Sequence, residues 1–218
     1  MSAPEHANRL ASIAANATHR PSDSANKFSQ GGRPQARIPC SAVPSITLRL
    51  ATLADAEQIR EIYNHEVVNT TATFDLVPRS ASDQERWISD RTGAFAAIVA
   101  VDADEPAART IVGFGSLSPY KERAAYRTSV EDSVYVRRDR SGQGIGKMIV
   151  TELLHVAQLS GFHAVFARIS TVGEASLALH RSCGFELVGI EREVGRKFNR
   201  WLDVALMQKL LSDSRFGS

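Results

Sequence analysis

The sequence predicts an α/β domain: a mixed, mostly antiparallel sheet flanked by helices. Three observations lead there. From about residue 46 the apolar pattern switches between period 2 and period 3.6 in the order βααβββαβαββ. In the first half, strand patterns follow one another across turn signals, which makes their neighbours mostly antiparallel. A chain of 218 residues, 43% hydrophobic and 23% charged, suits one globular domain with a substantial core. No internal repeat is visible.

Residues 1–45 are rich in Ala, Ser, Asn, Pro and Arg without sustained periodicity. Such a stretch cannot bury enough apolar surface to offset its ordering entropy, so it is expected to be a disordered extension preceding a domain over 46–212. Arg9, Arg20, Lys27, Arg33 and Arg37 against Glu5 and Asp23 faintly suggest a transit peptide; a plain tail or an early start codon is the simpler reading.

Within the domain, Ile46 to Ala51 alternates as a strand. Thr52, with Asp55 three residues on, has the pattern of a capping box, and Ile59, Ile62 and Tyr63 make the buried face of the helix that follows. Thr70 to Phe74 break the helical period. A second box, Ser82 with Glu85, is expected to open a helix carrying Trp87 and Ile88. Phe95–Val101 and Thr110–Leu117 are strands around a turn at Asp102–Pro106, and Glu131–Val136 is the next strand. Ala164–Ile169 is a strand and Ser176–Ser182 a short helix ended by Gly184. Phe185–Ile190 and Leu202–Leu206 are the last strands.

Composition excludes several classes. No apolar run approaches the ~20 residues of a membrane span, and the N-terminus lacks a hydrophobic signal region. A formal charge of +2 does not argue for a nucleic-acid partner. Two cysteines, Cys40 and Cys183, point to a reducing, cytoplasmic setting without a disulfide framework. The six histidines show no zinc-ligand spacing, so no metal is expected.

Glu131 to Ser160 organises the rest. The strand feeds a charged run, then Gly142-Gln143-Gly144-Ile145-Gly146-Lys147, then Met148, Ile149, Leu153 and Val156 on one helical face. A strand, a glycine turn and a helix aim several main-chain N–H groups at one point, with the positive end of the helix dipole behind them. The glycines let an anion approach without meeting a Cβ. The Walker pattern is excluded, because Met148 follows Gly146-Lys147 and no Gly stands at 141. The dinucleotide fingerprint fails at Lys147 and Ile149. An ordinary glycine-rich strand-to-helix turn is the plain alternative.

The loop resembles the Q/R-x-x-G-x-G/A pyrophosphate loop of the GNAT superfamily of acyl-CoA N-acyltransferases. Gly144 and Gly146 match; Ser141 stands where that family usually has Gln or Arg, and Arg140 could supply the cation. Ile62-Tyr63-Asn64 with Thr73-Phe74, the run Tyr126 to Val136, and Trp201-Leu202-Asp203-Val204 resemble the phosphinothricin and methionine-sulfone acetyltransferase branch, from about Ile46 to Leu210. The resemblance implies the GNAT fold, acetyl-CoA as co-substrate, and a pyrophosphate held by Arg140, Ser141, Gly142, Gln143, Gly144, Ile145, Gly146 and Lys147. Val134, Tyr135 and Val136 would line the acetyl and pantetheine arm, a main-chain N–H there stabilising charge on the attacked carbonyl.

An acceptor amine must lose a proton before it attacks, and Glu131 matches the family's catalytic glutamate in T-x-E-x-(S/T)-V-Y-V. Its neighbour Asp132 points to the opposite face and is expected to be uninvolved. His180 lies where the family often carries a tyrosine that serves the leaving thiolate; a packing histidine is the alternative. Gly173 replaces an Asn that often contacts coenzyme A. Lys121 and Arg123, if extended, would share a face and could hold an acceptor's carboxylate or phosphinate, and Phe74 and Tyr126 could wall its pocket. A solvated charge cluster and core aromatics are the alternatives. Cys183 is expected to be buried, which leaves direct transfer in a ternary complex. The expected protein is a cytosolic N-acetyltransferase acting on a small amino-acid-like amine, with homodimers common among relatives. The rivals are an enzyme acting on a protein N-terminus or an antibiotic amine, and a non-catalytic acyl-CoA sensor.

Overall fold

A computed structural model describes residues 46–211, so the expected tail over 1–45 lies outside the described residues. The strands are β1 (Ile46–Leu50), β2 (Ile98–Asp102), β3 (Ile111–Pro119), β4 (Ser129–Val136), β5 (Ala164–Ser170), β6 (Glu186–Lys197) and β7 (Arg200–Leu210). The helices are α1 (Ala56–Asn69), α2 (Ala81–Ser89), α3 (Ile145–Leu159) and α4 (Glu174–Ser182). The chain order is the expected βααβββαβαββ. One seven-stranded sheet runs β1-β2-β3-β4-β5-β7-β6. Every neighbouring pair is antiparallel except β4 and β5.

Alternation along β3 sets the layers. Phe114 stacks on Tyr135 at 5.1 Å and meets Trp87 of α2 edge-on at 5.9 Å, while Tyr63 of α1 stands edge-on to Tyr135 at 5.2 Å. On the other face, a Cβ on Gly113 or Gly115 would strike Ile145, Ile149 or Leu153 of α3, at 2.6 Å in the closest case. Glycine is needed there because α3 packs directly on the strand backbone. The sheet is therefore sandwiched, α1 and α2 on one face and α3 on the other.

Several boundaries differ from expectation. The Thr52–Asp55 box forms, but it caps a 3-10 turn over Leu53–Asp55 that precedes α1: Thr52 N–H donates to Asp55 (2.8 Å), and Arg49 grips the same carboxylate with two 2.7 Å bonds. The second box is two residues early: Ser80, in extended backbone, caps α2 with Asp83 in place of Ser82 with Glu85. Gly93–Phe95 form a 3-10 turn, so β2 begins at Ile98. Met148 is exposed, and the buried face of α3 is Ile145, Ile149, Val150, Leu153, Val156 and Ala157. The last two strands are longer than expected, 12 and 11 residues, joined through Phe198 and Asn199 in the left-handed region. Bulges between Leu187 and Gly189 and between Glu191 and Gly195 shift the alternation of β6, which hid it from a period-2 reading. Among the described residues no helix is long and apolar enough to cross a membrane.

Candidate active site

The parallel pairing of β4 and β5 is short. It joins Ser129 to Ala164, Val130 to Val165 and Glu131 to Phe166, and then stops, although β4 runs on to Val136 and β5 to Ser170. The two strands part beyond Glu131. Arg137 N–H donates to Val112 C=O (2.9 Å) and Tyr120 N–H to Ser129 C=O (3.3 Å), so odd-numbered residues of β4 turn their main chain to β3. Asp132, Val134 and Val136 therefore turn theirs to the gap. Tyr135 does not: its main chain faces β3 and its ring packs between Tyr63 and Phe114, where burial raises its hydroxyl pKa.

A cavity of about 890 Å³ opens at the gap. Its walls are Thr70–Phe74 after α1, Glu131–Tyr135, Ala167–Ser170, the start of α4, Arg138, His180 and Val194. Glu131 is half-buried, and among the described residues nothing hydrogen-bonds its carboxylate. Burial raises its pKa; Arg168 opposes the rise, and Asp132 and Glu191 add to it. A carboxylate so placed is a better proton acceptor near neutrality than an exposed one.

Asp132 is not the uninvolved residue expected of it. It is buried on the opposite face, and its Oδ2 lies 3.1 Å from Nε2 of His180, itself only 3% exposed. Nδ1 of His180 donates to Ser176 C=O at 2.8 Å. Burial pulls the imidazole pKa down, but the hydrogen bond and charge of Asp132 outweigh it, and the net shift is upward. Both ring nitrogens are thus engaged, and the other Asp132 oxygen, Oδ1, is buried without a partner.

At the glycine turn, Gly142 and Gly144 take φ of +77° and +82°, and a Cβ on either would meet nothing within 4 Å. The first helical bond is Met148 N–H to Gly144 C=O (3.1 Å), so the N–H groups of Ile145, Gly146 and Lys147 have no acceptor within the helix. Ile145 anchors the turn in the core, while Ser141 and Lys147 are exposed. Gly146 has another constraint: its Cβ would lie 3.0 Å from Leu179 of α4. Arg140 is not the free cation expected. Its guanidinium donates to Asp102 (2.5 Å), Glu105 (2.7 Å) and Gln143 (3.0 Å), a clamp between β2 and the loop. Arg138, paired with Glu66, is the cation from this run that reaches the cavity.

Phe74 lines the cavity. Its loop is held by Tyr63, whose hydroxyl reaches Thr73 (3.0 Å) and Asp75 (2.5 Å), and by buried Lys197, which donates to Thr73 C=O (2.7 Å). Gly195 makes room for the ring, since a Cβ there would sit 2.2 Å from it. Lys121, Arg123 and Tyr126 are elsewhere. Their segment bends through a 3-10 turn and does not extend, so the expected shared face does not form, and none of the three lines the cavity. Lys121 lies over the rings of Tyr120 (4.7 Å) and Tyr126 (5.2 Å), with Phe166 stacked on Tyr120 at 4.0 Å. The wall has a cation that sequence reasoning missed, Arg168, ion-paired with Glu191. Alternation from the Glu131–Phe166 pairing could have placed Arg168 on the face of Glu131; nothing in the sequence marks Asp132 or Lys197. Cys183 is half-buried, not buried, and caps the end of α4.

A family model described as an acetyltransferase (GNAT) domain matches residues 48–206. The chain belongs to the GNAT acetyltransferase family. It is 37% identical over 172 residues to an L-methionine sulfoximine/L-methionine sulfone acetyltransferase of Pseudomonas aeruginosa, covering 78% of this chain and 98% of that one. Against a phosphinothricin N-acetyltransferase of Streptomyces coelicolor the identity is 36% over 168 residues, with 76% and 96% covered. A crystal structure of a GNAT phosphinothricin acetyltransferase from Sinorhizobium meliloti in complex with acetyl-CoA superposes with TM-score 0.73 at 36% identity, covering 79% of this chain and 92% of that chain. This GNAT enzyme is thus an acetyl-CoA-dependent N-acetyltransferase. Its open strand gap and glycine turn lie on one continuous path, β4 to α3.

Proposed function

We propose that the acetyl group goes to the amine of a small amino-acid-like acceptor of the phosphinothricin, methionine sulfone or methionine sulfoximine type, by direct transfer in a ternary complex. The observation that carries this is the unpartnered, half-buried carboxylate of Glu131 at the point where β4 and β5 part. The diphosphate lies on the N–H groups of Ile145, Gly146 and Lys147. The pantetheine arm pairs with Val134 and Val136 in place of β5, and one of these N–H groups receives the negative charge that builds on the carbonyl oxygen. Glu131 takes the amine proton from the side of α1. His180 serves the departing sulfur from the side of α4. The acceptor's acid group meets Arg168, on the same face as Glu131, with the Thr70–Thr73 hydroxyls and Phe74 around it.

Support for the acceptor class comes from the relatives and from the opposite charges of Glu131 and Arg168 in the cavity wall, which suit a zwitterion. The enzyme is further proposed to act in the cytoplasm as a homodimer. Leu187, Val188 and Ile190 on the edge strand β6 are exposed, as are Phe198 and Trp201, a surface suited to a second copy. Light scattering should give twice the chain mass. The acceptor is tested by following free thiol release from acetyl-CoA with phosphinothricin, methionine sulfone, methionine sulfoximine, aminoglycosides and peptides. Turnover confined to the first three is expected; turnover confined to peptides or aminoglycosides would replace this acceptor class.

A further inference from the structure

We propose that Asp132 positions His180 and keeps it protonated, so that the pair holds the proton that the departing sulfur takes. This rests on the reading above that His180 serves the sulfur. The ring is fixed at both nitrogens, Nδ1 on Ser176 C=O (2.8 Å) and Nε2 on Asp132 Oδ2 (3.1 Å), with Phe185 edge-on at 5.1 Å. A carbonyl can only accept, so Nδ1 carries a hydrogen; the carboxylate opposite Nε2 favours a hydrogen there too. An imidazolium satisfies both bonds. Asp132 has no other hydrogen-bond partner among the described residues, and its Oδ1 is buried without one. The two charges therefore compensate each other in a buried setting, where losing either partner is costly.

The surroundings leave that pairing in place. Glu131 on β4, Arg168 on β5, Glu174 on α4 and Arg138 after β4 line the same cavity, and Glu191 on β6 is paired with Arg168. The buried face of α3 is wholly apolar. Glu131 and Asp132 are adjacent in sequence but on opposite faces of the sheet, so the proton leaving the amine and the proton reaching sulfur are handled on separate sides.

The step balances. Glu131 takes one proton from the ammonium, which frees the lone pair that forms the N–C bond. The C–S bond breaks with its electrons on sulfur, and the Nε2 proton leaves its hydrogen bond to Asp132 and passes to sulfur to give the free thiol. The second nitrogen proton, lost as the amide forms, goes to solvent. The neutral ring then turns a lone pair to the Asp132 carboxylate, an unfavourable arrangement, and recovers a proton from water as Glu131 loses one.

The test is ¹⁵N NMR of the His180 ring in the full chain, titrated with pH, alongside kinetics of Asp132→Asn and His180→Gln. In the native protein the ring should remain doubly protonated above the ordinary histidine pKa of ~6.5. In Asp132→Asn it should lose its proton at lower pH. That variant's kcat should fall about 10²-fold at alkaline pH, the low end of general acid catalysis, with the KM for acetyl-CoA little changed. The deficit should shrink as pH falls and the ring charges unaided. His180→Gln should lose as much, and the double variant no more. A native ring neutral near pH 7, or one whose titration ignores Asp132→Asn, would overturn the proposal. So would native turnover by both variants. If Asp132→Asn does not fold, the native titration still decides whether the ring is held charged. If no acceptor is acetylated at all, the acceptor reading fails separately, and the NMR result stands.

Discussion

Glu131 and Phe166 are the last residues at which β4 and β5 are paired, and the Glu131 carboxylate stands where the strands separate. The side chain is buried enough for its pKa to rise, with Arg168 holding the rise back. A base works only when ionised, so kcat/KM should fall as pH drops through that raised pKa, above the ordinary glutamate value of ~4.3. Arg168→Gln removes the opposing positive charge and should move this acid limb to higher pH while raising the KM for the acceptor. The check is kcat/KM across about pH 5 to 9; a limb that stays in place would separate Arg168 from the base.

Gly144 and Gly146 of the turn should separate by measurement. Gly144→Val places a branched side chain at φ +82°, a left-handed conformation costing an L-residue roughly 1–2 kcal/mol, and puts it in the open space where the diphosphate is proposed to lie. Acetyl-CoA binding by calorimetry should weaken at least ~10-fold, or ~1.4 kcal/mol. Gly146→Val presses on Leu179 at the contact of α3 with α4, so its Tm should drop as well. Unchanged binding in Gly144→Val would mean that the diphosphate lies elsewhere.

Arg140→Met should lower Tm and spare acetyl-CoA affinity, because the guanidinium serves Asp102 and Glu105. Asp102 is 2% exposed and would lose its ion pair. Thermal melts and calorimetry on the same variant decide: lost affinity at an unchanged Tm would return Arg140 to the phosphate.

Much of the fold was legible in the sequence. Alternation marked β1 and β4, the run Ile59, Ile62, Tyr63 marked α1, and the glycine turn before Ile145 marked the start of α3. What escaped depends on register between distant segments. The length of β6 is hidden by its bulges, and the capping of α2 by Ser80 differs from the Ser82 pattern by only two residues. Within the site, Glu131, Phe74 and His180 do reach one cavity, with the main chain of Val134 and Val136 facing the gap beside it. Lys121 and Arg123 do not, because their shared face depended on an extended segment and the chain bends there. Arg140 was misjudged because its acidic partners lie 35 and 38 residues away in sequence. Asp132 was misjudged because strand alternation gives a side chain's face but not what waits on that face.

The most direct test of Glu131 as the base is kcat and acetyl-CoA affinity of Glu131→Gln over a range of pH. The glutamine keeps the side chain's size but cannot accept the amine proton, and the glycine turn proposed to hold the diphosphate lies beyond the end of β4. The account expects kcat to fall by ~10²–10⁴, with acetyl-CoA affinity intact and the deficit narrowing at high pH, where free amine forms unaided. Normal turnover, or a loss of acetyl-CoA binding in place of kcat, would contradict it.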